Sequence, residues 1–354
     1  MSTQLLPMLL LFSAWSQHLN DCLLSPQNPD SSGKKAGEVV VLSEDWRDDK
    51  RQRTVPVRIY APATGDKLPI IVFSHGLGGS RDGYSYLGRH WAQNGFVVVH
   101  PEHEGSDRDV LERGAGAGNL KKLEQAAADP RNAMNRAQDV RFVITQMIDK
   151  VQPGAKDSTS VLKGRLNTAK IGAAGHSFGA NTTMLVSGLQ AGLRIPVTES
   201  QKDARIVAAV AMSIPVNRIA PEALDRMYED VRIPVLHMTG TKDSSPIDLH
   251  GPETRRLPFD HSDNSNRTLI LFTDGDHGVF AASPEEGSSR RRILDRLRST
   301  ENYAPMQAVI LESSTHFWNS WLKDDKESAA WLKEKLKERV GQLGTVEHRA
   351  AGEK

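Results

Sequence analysis

The chain has 354 residues, 38% of them apolar and 25% charged, and its 45 Lys and Arg nearly balance its 44 Asp and Glu. That composition excludes a multi-span membrane bundle and a disordered chain, and a formal charge of +1 supplies no field that would favour nucleic acid or an anionic surface. The single cysteine, Cys22, excludes an intrachain disulfide framework and a cysteine-rich metal or iron–sulfur site.

In chain order, the first feature is the apolar run Leu5-Leu6-Pro7-Met8-Leu9-Leu10-Leu11-Phe12, followed by Ser13-Ala14-Trp15-Ser16 with small residues at alternate positions. This pattern predicts a secretory signal peptide and export to the periplasm or exterior. The run is too short to span a bilayer, which takes about 20 apolar residues. No Lys or Arg precedes it, so a cytoplasmic protein with an N-terminal tail stays as the alternative. Residues 24–37 are rich in Ser, Pro, Asn, Gly and Lys and read as linker. One folded domain is then expected over 38–345, with a polar tail over 346–354.

Short β-rich runs follow, alternating with helical patterns. Strands are predicted at Val39–Leu42, Val55–Tyr60, Pro69–Phe73, Phe96–His100, Ala169–Ala174, Ile206–Met212, Pro234–Thr239 and Thr268–Thr273. Runs such as Ile70-Ile71-Val72-Phe73 have no polar face, as expected of strands covered on both sides. Ala133, Met134, Ala137, Val140, Ile144, Met147 and Ile148 recur at helical spacing, with Arg136, Asp139 and Arg141 elsewhere on the wheel. Trp331, Leu332, Leu336 and Val340 mark a C-terminal helix. The pattern predicts an α/β domain with a mostly parallel eight-stranded sheet and helices on both faces. The stretch Ser213–Arg232 is too short to build a large cap, and the insertion Asp107–Asp129 reads equally as a lid or as a surface loop.

Gly175-His176-Ser177-Phe178-Gly179 lies between the fifth strand and a helical segment beginning at Ala180. This is the G-x-S-x-G nucleophile elbow, where a strand-to-helix turn exposes the serine and the flanking glycines let strand and helix approach closely. After the third strand, Ser74-His75-Gly76-Leu77-Gly78-Gly79-Ser80 lacks the Lys-Ser/Thr ending of a phosphate loop. It suits an oxyanion site instead, with Leu77 and Phe178 as N–H donors, each such donor lowering an acyl-transfer barrier by about 3 kcal/mol.

An acid and then a base should follow the nucleophile at strand ends. Asp243, in the turn Thr239-Gly240-Thr241-Lys242-Asp243, is the candidate acid, with Asp248 a rival in the same connection. His277, in Asp274-Gly275-Asp276-His277-Gly278, is the candidate base, because an imidazole titrating near neutrality can take the Ser177 proton and return it to the leaving group. His75 and His176 lie inside the two backbone motifs, and His316 begins the run Phe317-Trp318-Asn319-Ser320-Trp321, positions that suit packing. Asp274 and Asp276 lack the fuller ligand set of a cation loop.

Together these segments resemble the α/β-hydrolase superfamily and, more narrowly, the platelet-activating-factor acetylhydrolase and dienelactone-hydrolase-like esterase group. The resemblance is carried by Val72-Phe73-Ser74-His75-Gly76-Leu77-Gly78, Tyr84-Ser85, Ala92-Gln93-Asn94-Gly95-Phe96-Val97-Val98, Glu102-His103 and Gly175-His176-Ser177-Phe178-Gly179-Ala180. Phe317-Trp318 is similar to a helix that bacterial members carry after the catalytic His. The resemblance covers roughly residues 50–335 and implies the α/β-hydrolase fold, with Ser177, Asp243 and His277 as triad and Leu77 and Phe178 as oxyanion donors. Dienelactone hydrolases proper use a Cys nucleophile, so Ser177 departs from that branch, and 283–305 has no feature assignable to lipid binding.

The expected activity is serine-dependent carboxylic ester hydrolysis through an acyl-enzyme on short-chain esters. A lipid esterase similar to the acetylhydrolases is one form of it; polyester cleavage, polysaccharide deacetylation and acyl transfer are others. The competing reading outside enzymes is a non-catalytic binding protein on the same scaffold. The mechanism requires no cofactor and no metal. The expected partner is a small or polymeric ester, not nucleic acid, with no transmembrane span, and the sequence assigns no oligomeric state.

Overall fold

A computed structural model describes residues 37–112, 119–150, 162–190, 200–216, 221–245, 247, 251–281 and 303–353. The leader and linker predicted before residue 37 lie outside them.

Strands without a polar face need a layer on each side, and the sheet has both. Its strands are β1 (Val39–Asp48), β2 (Arg53–Pro62), β3 (Leu68–Ser74), β4 (Val97–Pro101), β5 (Leu166–His176), β6 (Ile206–Met212), β7 (Val235–Lys242), β8 (Arg267–Asp276) and β9 (Gly344–Arg349), in spatial order β1-β2-β4-β3-β5-β6-β7-β8-β9. From β4 to β8 neighbours run parallel, while β1, β2 and β9 add antiparallel edges. All eight predicted strands are present in this α/β-hydrolase arrangement.

The helices are α1 (Ser85–Gln93), α2 (Asp109–Glu112), α3 (Asn119–Ala128), α4 (Pro130–Lys150), α5 (Phe178–Ser187), α6 (Pro221–Tyr228), α7 (Leu257–Asp260), α8 (Ala304–Leu322), α9 (Lys326–Glu334) and α10 (Leu336–Val340). One apolar layer packs Ala137, Val140 and Ile144 of α4, Met184 and Leu185 of α5 and Leu224 of α6 against Ile70, Val72 and Ala173. The opposite layer packs Leu87 and Trp91 of α1, Phe317 and Trp318 of α8 and Leu336 of α10 against Ile71, Phe73 and Ala174. Successive residues of β3 thus face opposite layers, as the pleat requires. Among the described residues no helix is long and apolar enough to cross a membrane.

Three sequence expectations need correction. The sheet has nine strands, not eight, because Gly344–Arg349 pairs with β8 from Phe272↔Gly344 to Arg267↔Arg349, so the polar tail expected from residue 346 is strand as far as Arg349. The segment Thr345-Val346-Glu347-His348-Arg349 has no apolar run to betray it. Backbone ladder bonds hold it, helped by ion pairs of Arg349 to Asp260 and of Glu347 to Arg256. The C-terminal helix is broken at Lys335 into α9 and α10. Finally, Arg136 and Asp139, placed off the apolar stripe of α4 by their polarity, are both completely buried.

α1 and α8 meet through Trp91, whose ring stands edge-on to Trp318 at 5.8 Å and whose Nε1–H donates to Ser314 Oγ at 2.9 Å. Trp91→Ala removes that ring from a fully buried site and leaves Ser314 without its donor. Urea unfolding is expected to show about 3–5 kcal/mol less stability; a loss below about 1 kcal/mol would contradict this packing.

Candidate active site

Parallel strands all end on one edge of the sheet, so residues that follow β3, β5, β6, β7 and β8 converge there. Ser177 is the single residue between β5 and α5, held at φ 57° and ψ −123°. A non-glycine residue at positive φ is strained by about 1–3 kcal/mol and persists only where its surroundings enforce it. They do: an added Cβ on Gly179 would come 1.9 Å from the Ser74 carbonyl oxygen, and one on Gly175 would come 2.3 Å from that of Gly179. The Ser177 N–H donates to the Met212 carbonyl at the end of β6 (2.9 Å).

The structure brings the three predicted side chains into one line. His277 Nε2 lies 3.0 Å from Ser177 Oγ, and Nδ1 lies 2.8 Å from Asp243 Oδ1. An ionised carboxylate can only accept, so Nδ1 carries the proton and Nε2 is free to accept from the serine hydroxyl. Asp243 is completely buried. Burial pushes its carboxyl up, but the Arg255 guanidinium and hydrogen bonds from His277 and Thr239 outweigh this and hold it well below the usual carboxylate range.

Four further side chains belong to the site and escaped sequence reasoning. Thr239 Oγ1 donates to Asp243 Oδ2 (2.8 Å) and Ser213 Oγ donates to Oδ1 (2.9 Å), while the Ser213 oxygen also lies 2.8 Å from His277 Nδ1. Arg255 donates from Nη1 to the Ser213 carbonyl (2.6 Å) and from Nε to the Asp243 carbonyl (3.2 Å), bracing both turns. Tyr84 hydrogen-bonds His176 Nδ1 (2.7 Å), whose ring lies 4.6 Å from that of His277. The one available signal was position, since Ser213 directly follows β6 and Thr239 lies within β7 near its end.

The Ser74–Ser80 loop passes beside Ser177: an added Cβ on Gly76 would lie 3.5 Å from that of Ser177. Leu77 packs against the same apolar layer as Phe178, and Phe178, as first residue of α5, has no acceptor within the helix for its N–H. The loop rests on a second buried network. His75 accepts the His103 N–H at Nε2 (3.1 Å) and donates from Nδ1 to the Gly76 carbonyl (2.7 Å). His103 bonds Ser74 Oγ (3.2 Å) and Asp139 (3.0 Å), and Asp139 also receives Arg51 and Arg53. The 107–129 insertion supplies α2 and α3, whose Leu111 and Leu123 come within 3.2 Å of a Cβ built on Gly78. Its described parts therefore pack onto this loop.

The rival residues have other partners. His316 stacks on Trp331 at 4.0 Å. Asp274 pairs with Lys242 (3.0 Å), and Asp276 accepts from the Tyr303 hydroxyl (2.6 Å). Asp248 lies outside the described residues. Among those residues no three His, Cys, Asp or Glu side chains cluster as metal ligands would.

Comparison with known proteins adds a family. The profile described as "Platelet-activating factor acetylhydrolase, isoform II" matches residues 36–111, which include the Ser74–Ser80 loop. This chain resembles the acetylhydrolase group of esterases. A platelet-activating factor acetylhydrolase of Cavia porcellus is 30% identical over 151 residues, covering 37% of this chain and 34% of that protein. One of Canis lupus familiaris is 26% identical over 250 residues, covering 64% and 51%. The chain thus spans about a third to a half of the length of the curated relatives it matches.

Burial keeps five imidazoles neutral: His75, His103 and His176 lie well below their ordinary value, and His100 and His237 are each pushed down to about 3. In the unfolded chain each takes up a proton near pH 6.5, so unfolding binds protons and stability is lost as pH falls below about 6.5. Each group removes about 1.4 kcal/mol per pH unit below that point. Urea midpoints are expected to be flat from pH 8 to 7 and to drop steeply between pH 6.5 and 5; a flat profile down to pH 5 would show that these rings are not buried neutral.

Proposed function

We propose that this protein is a serine-dependent carboxylic ester hydrolase acting through an acyl-enzyme on short-chain acyl esters, with the acetyl ester of a lipid of the platelet-activating-factor type as the favoured substrate. The observation that carries this reading is the Ser177–His277–Asp243 line at 3.0 and 2.8 Å, on a strained turn beside a Gly-rich loop. The printed names of the relatives supply the lipid acetyl ester.

Ser177 Oγ attacks the ester carbonyl carbon while its proton passes to His277 Nε2, and the Leu77 and Phe178 amides receive the oxyanion. Collapse breaks the bond to the alkoxy oxygen, which leaves with the His277 proton as the alcohol. Water then gives its proton to His277 and attacks the acyl-enzyme, and Ser177 recovers a proton as the acid departs. Asp243 keeps the imidazole in the required tautomer and stabilises the imidazolium. A connection between β6 and β7 that carries one helix of eight residues leaves no room for a large cap. Export through the residue 5–16 segment belongs to the same reading and rests on the sequence alone.

The test is hydrolysis of p-nitrophenyl esters of increasing acyl length, and acetate release from a 1-alkyl-2-acetyl-glycerophosphocholine, by the purified full-length chain. Ser177→Ala is expected to lower kcat by about 10⁶-fold. Asp243→Asn is expected to lower it by about 10⁴-fold with the fold intact. A folded wild-type chain that turns over none of these esters and takes up no fluorophosphonate label would overturn the reading in favour of a binding protein.

A further inference from the structure

We propose that Arg136 is a positioning residue that holds the two oxyanion donors in register with each other; this rests on the ester-hydrolase reading above. Arg136 lies on α4, and none of its surface is exposed. Its guanidinium makes no ion pair among the described residues. The nearest carboxylate on its own helix, Asp139, is already engaged by Arg51, Arg53 and His103.

Instead the three nitrogens of the guanidinium address three separate segments. Nη2 donates to the His75 carbonyl, two residues before Leu77. Nη1 donates to Ser106 Oγ (2.9 Å), and the Ser106 carbonyl accepts the Gly78 N–H (2.9 Å), one residue after Leu77. Nε donates to Thr182 Oγ1 (2.9 Å) in the first turns of α5, and that hydroxyl in turn donates to the Phe178 carbonyl (3.0 Å). The guanidinium carbon also stands 4.8 Å from the centre of the Phe178 ring. The Leu77 amide is therefore tied to Arg136 from both sides, and the Phe178 residue by ring and carbonyl.

Stability gives no reason for this choice. A buried guanidinium paid in neutral acceptors is a poor substitute for an apolar side chain of the same volume, which would join α4 to the sheet without desolvating a charge. What the planar fork supplies is direction, with its donors fixed relative to one another. Two amides that come from different strands and must face one oxygen need that common reference, since preorganised donors act only where they already point at the developing charge.

The test compares Arg136→Lys, Arg136→Met, Thr182→Val and Ser106→Ala with the wild-type chain, using kcat and KM on p-nitrophenyl acetate per active site titrated to end-point with a fluorophosphonate. The two Arg136 variants are expected to lose about 100-fold in kcat with KM little changed, as a displacement of about 1 Å at the donors would give. Thr182→Val and Ser106→Ala, which each remove one acceptor and leave Arg136 in place, are expected to lose about 3- to 10-fold in the same parameter. Affinity for a trifluoromethyl ketone, whose serine adduct carries the oxyanion, should fall in step with kcat/KM, while the pH at which kcat/KM is half-maximal stays unchanged because the triad is untouched. A purely structural role would lower the urea midpoint and the titratable fraction but leave kcat and ketone affinity per titrated site at wild-type values, and that result would overturn the assignment. Should the Arg136 variants fail to fold, unchanged kcat in both Thr182→Val and Ser106→Ala would overturn it equally. A wild-type chain without ester turnover and without label removes the reading beneath and this assignment with it.

Discussion

The site depends on one backbone crossing. Where β5 turns into α5, the elbow passes so close to the end of β3 that Gly179 has no room for a Cβ beside the Ser74 carbonyl. That contact enforces the positive φ of Ser177 and lifts its Oγ off the sheet edge. It also sets the loop that follows β3 directly against Ser177. Had Gly175 or Gly179 carried a side chain, strand and helix would separate, and the Ser74–Ser80 loop would separate from Ser177.

Around this crossing the buried charges fall into two groups with different work. On one side Asp243 is ionised, satisfied by Thr239, Ser213 and His277 and braced by Arg255. On the other, Asp139 gathers Arg51, Arg53 and His103 beneath the loop after β3. A buried ion that loses one partner is far more costly than one never placed there, so each group is rigid once formed. The imidazoles between them serve as neutral connectors: His75 and His103 each bond through both ring nitrogens, and His176 bonds Tyr84 through Nδ1. Rigidity there favours function, because donors that need not reorganise are the ones that stabilise a transition state.

The insertion after β4 shows how a local reading falls short. Its length alone left a lid and a surface loop as equals. Leu111 and Leu123 meet at Gly78, so the described parts of the segment are packed onto the loop beside Ser177. Neither leucine differs in sequence from any other apolar residue of a short helix; only the position of Gly78 in space gives them a shared partner.

Periodicity and motif spacing alone determined the eight principal strands and the two-layered covering of the sheet, and they singled out Ser177, Asp243, His277, Leu77 and Phe178 as the proposed site. Each of those signals is local: a pleated run without a polar face, a glycine pair flanking a serine, an acid or a base just past a strand. Tertiary structure alone decided the ninth strand, since an exposed edge is held by ladder bonds that leave no apolar pattern. It alone decided that Arg136 and Asp139 lie inside, because a polar residue reads as surface until the partners that satisfy it, drawn from β2, the β3 loop and α5, are brought around it. Ser213 and Arg255 stayed hidden for the same reason: a hydrogen bond between residues 30 or 42 positions apart has no trace in the chain until the sheet sets their segments side by side.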